Sequence, residues 1–294
     1  MLKEVVIAEF CVIIVFGLTT IIALLLSFRM KPVKTVWKQC PPLCLILVTN
    51  GVAATLSTCF ALQWILFNFG AIRNVADNVF FLSVLGRTVT IIQQFNSCSE
   101  IGLFAQRIFH ILQPLAGLKK FYLVAAFILS VMFFTISTLP MYSIIFTATT
   151  VGNRVPDGCF SLSCMPSGAL SRTVFGISLG FVQVVFNVST ALITTCLGVA
   201  MLYLLRKRAK NDTSNDTSIQ ERQKSSFSRY VFLTRFFSQT LLFNLDIILS
   251  TTAHILIGNY IGPFAVLGAG VSFTVETLAY YSLFRKYNVN VAVK

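Results

Sequence analysis

Long apolar stretches separated by short polar connections dominate the pattern of hydrophobic and polar positions along the chain. About 20 consecutive apolar residues are enough for a helix to cross the hydrocarbon core of a bilayer. The pattern therefore predicts seven membrane-spanning helices, all within a single membrane domain covering residues 1–294. Numbered 1 to 7 in chain order, these segments are Val5–Phe28, Pro42–Leu66, Val79–Phe104, Phe121–Ile145, Thr173–Leu205, Phe236–Ile257 and Phe264–Leu283.

The composition supports an all-α integral membrane protein. Hydrophobic residues make up 56% of the chain and charged residues only 11%, with a mean hydropathy of +0.80. A soluble domain usually has about a quarter of its residues charged. So few charges cannot cover a globule that faces water, which excludes a soluble domain, a disordered chain and a disulfide scaffold.

The distribution of the basic residues predicts the orientation of the helices. The first, third and fifth connections and the C-terminal tail together contain 18 of the 23 Lys and Arg residues. Because basic residues concentrate on the cytoplasmic side, this places the N-terminus outside and the C-terminus in the cytosol. The net charge of +13 is then explained by the membrane topology, and no nucleic-acid partner is expected. The remaining five basic residues are Lys3, Arg73, Arg87, Arg154 and Arg172.

Two of the connections have distinctive compositions. Residues 206–229 are charged and rich in Ser and Thr, and without apolar periodicity they predict a flexible cytoplasmic loop. The loop between segments 4 and 5 contains Cys159 and Cys164, the only two cysteines that share a polar loop, and they are the candidate disulfide. No Cys or His spacing suggests a metal site.

Motifs of enzymes are missing from the sequence. The chain has two histidines, and it contains no HExxH, GxSxG or P-loop sequence. We therefore expect neither catalysis nor a cofactor.

The end of segment 3 has the most informative motif. In the stretch Ala105–Leu115, Arg107 is followed seven residues later by Pro114. This spacing resembles the D/E-R-Y-x-x-x-x-x-P-L motif at the inner end of helix three in G-protein-coupled receptors. Gln106 replaces the acidic residue of that motif. In segment 7, Tyr280 matches the Tyr of the N-P-x-x-Y pattern, whereas Glu276 replaces its Asn.

Together with seven helices, a length of about 300 residues and a short tail, these motifs resemble the nematode serpentine chemoreceptors, with class BC (Srbc) as the nearest class. Segment 6 has no Pro and the outer part of segment 3 has no Cys, so the chain departs from ordinary rhodopsin-like receptors. The resemblance implies a receptor in the plasma membrane or ciliary membrane of sensory neurons. Its partners would be a small-molecule ligand and a heterotrimeric G protein, the latter bound near Arg107, Gln106, Pro114 and Tyr280.

Polar residues at membrane depth predict a polar core in the bundle. Intramembrane acids are costly and face a bundle interior or a water-filled cavity. Such a core either holds Na⁺ or a shared proton, or its acids are protonated and hydrogen-bonded between helices. No basic residue is expected at its level, and Glu100 is interpreted as a packing contact. The core residues are Asn50, Asn244, Asp246 and Glu276.

A ligand cleft is expected between the outer halves of the helices. Its polar candidates are Arg87, Gln94, Gln183 and His254. Arg87 suits an acidic or carbonyl ligand, although it could equally extend to lipid headgroups. Three other functions stay open at this point: an ion-channel subunit, a proton-coupled transporter that uses Asp246 and Glu276, and a membrane scaffold without a ligand.

Overall fold

The computed structural model describes residues 3–112, 154–161, 173–174, 177–211, 219–252 and 263–292. Most of these residues are helical. The helices are α1 (Lys3–Met30), α2 (Val33–Gln39), α3 (Pro41–Asn68), α4 (Ala76–Leu112), α5 (Leu179–Asn211), α6 (Ile219–Arg235), α7 (Leu241–Thr252) and α8 (Phe264–Ala292). A π-helical turn, Phe236–Thr240, connects α6 to α7 without a break.

Four of the described helices are long and apolar enough to cross a membrane, which supports a helical membrane protein. They lie in α1, α3, α5 and α8 and correspond to segments 1, 2, 5 and 7. Segment 3 is also helical, as α4, but its polar residues lower its hydropathy. Segment 4, Phe121–Ile145, lies outside the described residues.

Segment 5 does not begin as a helix, contrary to the prediction from sequence. Strand β1 (Thr173–Val174) pairs with β2 (Ile177–Ser178) in an antiparallel hairpin, and the helix starts only at Leu179. Three of these four strand residues are β-branched, and such side chains favour strands over helices.

The prediction of a flexible loop over residues 206–229 was wrong for most of its length. Helix α5 continues through the basic residues to Asn211, and α6 begins at Ile219. Phe227 and Val231, one turn apart, are both buried, so this part of the chain does have an apolar helical face. The helix that leads into segment 6 therefore begins at Ile219. This is 17 residues before Phe236, where the sequence predicted the segment to begin.

Two apolar clusters occupy opposite ends of the bundle. The Arg107 end contains Phe104, Tyr280, Phe227 and their neighbours. At the opposite end, which we call the Trp64 end, Phe10 stacks on Trp64 and both are almost fully buried. Side chains from α1, α3 and α4 contribute to both clusters, which fixes these three helices against one another.

The segment 154–161 covers the Trp64 end. Asn74 donates from Nδ2 to the carbonyl of Val155 across 2.9 Å and accepts from the Val155 N–H across 2.8 Å. Asn68 donates to the carbonyl of Phe160. Cys159 is disulfide-bonded, whereas its expected partner Cys164 lies outside the described residues.

Candidate functional site

A buried ion pair joins α4 to α6 inside the bundle. Nη1 of Arg235 donates to Oε1 of Glu100 across 2.6 Å. Glu100 is fully buried and Arg235 is 8% exposed. Nη2 of Arg235 also donates to Oγ of Ser97, which lies one turn from Glu100 on the same face of α4. Two side chains of α4 therefore hold the guanidinium, as expected for a charge that must find its partners within the protein.

Amide and hydroxyl groups connect this ion pair to α3. Nδ2 of Asn96 donates to Oε1 of Glu100 across 3.4 Å, and Oγ1 of Thr49 donates to Oδ1 of Asn96 across 2.6 Å. Asn96 and Glu100 are four residues apart, so both project from the same side of α4. The resulting chain of contacts links α3, α4 and α6.

Glu276 of α8 is a second buried carboxyl group. Its Oε2 accepts from Nδ2 of Asn50 across 3.0 Å, and its Oε1 accepts from Oγ of Ser272 across 2.8 Å. Asn50 follows Thr49 in α3, so neighbouring residues of one helix contact both parts of the network. We call the whole set the polar core: Thr49, Asn50, Asn96, Ser97, Glu100, Arg235, Ser272 and Glu276.

The polar core includes only part of the set expected from sequence. Asn50 and Glu276 do come together, as expected. Asn244 does not join them, because its side chain is exposed on α7. The side chain of Asp246 lies outside the described part of the structure, so its place in the core stays a prediction.

Two interpretations of charged residues were wrong. Glu100 is not a packing contact but an ion-pair partner, and a basic residue, Arg235, does reach the level of the acids. The sequence places Arg235 in the cytoplasmic connection, because the apolar run of segment 6 starts at Phe236. The signal that could have found it is the apolar sequence on both sides of Arg235, Tyr230–Leu233 before it and Phe236–Phe237 after it.

Arg107 lies near the end of α4 with an incomplete set of partners. It is 5% exposed, and its buried Nε has no hydrogen-bond partner in the part of the chain that the structure describes. The neighbouring Gln106 accepts a hydrogen bond from Sγ of Cys40 across 3.1 Å. Tyr280 is buried at the same end, where its ring meets that of Phe227 edge to face. Pro114 lies outside the described residues.

The candidate ligand residues are only partly described. Gln94 is buried, and its Nε2 donates to Oδ1 of Asn187 across 3.3 Å, which links α4 to α5. Arg87 is partly buried on α4. The side chain of Gln183 and the whole of His254 lie outside the described residues. A shared cleft for the four therefore stays a prediction.

Replacing Glu276 by leucine is expected to destabilise the bundle more than replacing it by glutamine. Leucine leaves the amide of Asn50 and the hydroxyl of Ser272 without their acceptor, at a cost of about 1–3 kcal/mol. Glutamine keeps an acceptor oxygen and is of similar size, so its cost stays below about 1 kcal/mol. Equilibrium unfolding in mixed micelles measures both variants. Equal stabilities for the two variants would contradict a role for these hydrogen bonds.

The polar core brings one guanidinium and two carboxyl groups together between helices. The described residues contain no cluster of three or more His, Cys, Asp or Glu that could hold a metal ion. Comparison of the sequence with models of protein families and with curated proteins found no match.

Proposed function

We propose that this chain is a seven-helix chemosensory receptor of the plasma or ciliary membrane, with its N-terminus outside and its C-terminus in the cytosol. A small molecule binds between the helices at the Trp64 end, and a heterotrimeric G protein binds at the Arg107 end. The resemblance of the Arg107–Pro114 stretch to serpentine chemoreceptors suggests this function.

The observation that carries the proposal is the environment of Arg107. Its guanidinium lies almost fully buried at the end of a long helix, and among the described residues its Nε has no hydrogen-bond partner. A buried donor without an acceptor is unfavourable by about 1–3 kcal/mol. A helix end of a G protein, which presents free carbonyl and carboxylate oxygens, would supply that acceptor. Binding there favours whichever arrangement of the helices exposes Arg107.

The proposal is tested by the formation of a nucleotide-sensitive complex. The full-length chain in nanodiscs is mixed with purified heterotrimers from each Gα class, and bound nucleotide is removed enzymatically. A receptor is expected to retain one of the heterotrimers and to release it when GTPγS is added, because nucleotide and receptor binding to Gα oppose each other. Absence of a GTPγS-sensitive complex with every class would contradict receptor function.

Orientation provides the control for this experiment. A C-terminal tag on intact cells is expected to be hidden, and Asn211 and Asn215, which head glycosylation sequons, are expected to carry no glycan. An exposed tag or a glycosylated connection would place Arg107 on the outer side and rule out coupling at that end.

The two buried carboxyl groups favour a second candidate function, a proton-coupled transporter. Ionisable groups inside a membrane domain often form proton pathways, and Glu100 and Glu276 are both fully buried. Proteoliposomes distinguish the two functions. Substrate uptake that is driven by a pH gradient and requires no G protein would favour the transporter.

A further inference from the structure

A short helix with a strongly basic face connects α1 to α3. The stretch from Arg29 to Lys38 contains four basic residues and no acidic residue. Helix α2 (Val33–Gln39) occupies most of it. Its seven residues extend over about 10 Å, which is close to the usual distance between the axes of two packed helices. Helix α2 therefore bridges the gap between α1 and α3 at the Arg107 end of the bundle.

The inner side of α2 is fixed to the bundle. Val36 is 2% exposed and belongs to the same apolar cluster as Phe104 and Tyr280. Cys40, which directly follows α2, donates from Sγ to Oε1 of Gln106 across 3.1 Å. These contacts determine which sides of α2 face away from the protein.

The two outer faces of α2 differ in chemistry. Successive residues of an α-helix are rotated by about 100°, so residues four apart share a face. Val33 and Trp37 form an apolar face, and they are 41% and 44% exposed. Lys34 and Lys38 form a basic face, and both are exposed. The basic face lies opposite Val36, and the apolar face lies between the two.

This arrangement fits the boundary between the acyl chains and the headgroups of a bilayer. Tryptophan is enriched at this depth because its ring is apolar and its indole N–H is polar. With Trp37 directed to the lipid, Lys34 and Lys38 lie beside it at the level of the headgroups. Their Cβ atoms are about 5–6 Å apart, the spacing of one helical turn. Neither lysine forms an ion pair with a residue that the structure describes, so both are available to an anion of the membrane.

We propose that the Lys34–Lys38 face of α2 binds the headgroup of an anionic phospholipid, with Trp37 inserted beside it. Ammonium groups form charge-assisted hydrogen bonds with phosphate and carboxylate oxygens. Clusters of four or more basic residues next to a membrane-spanning helix attract the anionic lipids of the cytoplasmic leaflet. The proposal rests on the proposed function only for the orientation that turns α2 toward this leaflet. The lipid binds a helix that is itself joined to Gln106, the neighbour of Arg107.

Quenching of Trp37 by brominated lipids tests the proposal. The chain has two tryptophans, so Trp64→Phe leaves Trp37 as the only reporter. The full-length chain is reconstituted into mixtures of phosphatidylcholine and phosphatidylserine, in which one or the other lipid carries bromine high in its acyl chains. The two quenching curves give the ratio of the association constants of these lipids next to Trp37. We expect a preference for phosphatidylserine at low salt that disappears at about 1 M NaCl, where the Debye length is about 3 Å.

Replacing each lysine by glutamine is expected to lower this preference about fivefold, because each change removes one cation next to the headgroup. Lys34 and Lys38 are exposed, so neither change should affect folding. Lys207→Gln is the matched control. Lys207 is exposed at the end of α5, which packs on α4 and α6, whereas α2 packs on α3. Equal losses in all three variants would show a diffuse attraction to basic charge and would overturn the proposal.

The unsubstituted lysine face provides the second decisive result. Equal quenching of Trp37 by brominated phosphatidylserine and brominated phosphatidylcholine at low salt would also overturn the proposal. Both leaflets of the reconstituted membrane have the same composition, so the result depends neither on the orientation of the chain nor on a G protein. The receptor proposal can therefore fail while the lipid site stands, and the lipid site can fail while coupling is observed.

Discussion

Replacing Arg235 by leucine is expected to lower the free energy of unfolding by about 3–5 kcal/mol. The variant removes the cation that faces Glu100 and leaves a fully buried carboxyl group without its ion-pair partner. It also removes the donor to Ser97. Unfolding in dodecyl maltoside titrated with SDS measures this difference, followed by the fluorescence of the buried Trp64 in a Trp37→Phe background.

The double variant separates the contribution of the ion pair to stability from the effect of leaving one charge unpaired. Glu100→Leu combined with Arg235→Leu removes both charges, and replacing a buried ion pair by apolar residues is often neutral or stabilising. We therefore expect the double variant to be more stable than either single variant. A double-mutant cycle gives the coupling energy directly. Additive losses from the two single changes would show that the residues do not interact.

Replacing Arg107 by alanine is expected to reduce the amount of G protein retained by the chain at least about tenfold. A hydrogen bond to a charged donor contributes about 1.5–3 kcal/mol, and 1.4 kcal/mol corresponds to a factor of ten in an equilibrium constant. Because Nε of Arg107 has no partner among the residues that the structure describes, its removal should change stability much less than it changes coupling. Retention of nucleotide-free heterotrimer measures the effect, and unfolding in micelles provides the comparison.

Arg29→Ala is the matched control for this variant. Arg29 is near the end of α1 and exposed, and by the proposed orientation it lies on the same side of the membrane. A general loss of positive charge would reduce coupling equally in both variants. A specific acceptor site would affect Arg107→Ala alone. Equal losses in both variants would therefore remove the assigned role of Arg107.

Several features of the fold could be predicted from the sequence because they depend only on whether each stretch prefers lipid or water. A bilayer requires long apolar helices, and the hydropathy of the sequence is enough to locate those of α1, α3, α5 and α8. The sequence also placed Asn50 and Glu276 in one polar core, because polar groups inside a membrane avoid the lipid. Such constraints act on each stretch of sequence independently.

The extent of α6 could not be predicted in the same way. Its sequence is charged and rich in Ser at the start, which is typical of a loop, and Phe227 and Val231 are buried only by packing against other helices, for example of Phe227 on Tyr280 of α8. The local pattern therefore places Arg235 in a connection. Its true place depends on the length of the helix before it and on a π turn after it, neither of which has a distinct local pattern.

The sequence by itself located long apolar helices of the kind that cross a membrane. Only the tertiary structure decided which polar groups meet. Glu100 and Arg235 are 135 residues apart in sequence, and Asn50 and Glu276 are 226 apart. A residue's hydropathy reports whether it prefers water or lipid, but the partner of a buried charge depends on the rotation and register of two helices. Those are fixed by packing at sites such as Gly268 and Gly198, where a single methyl group would prevent the contact.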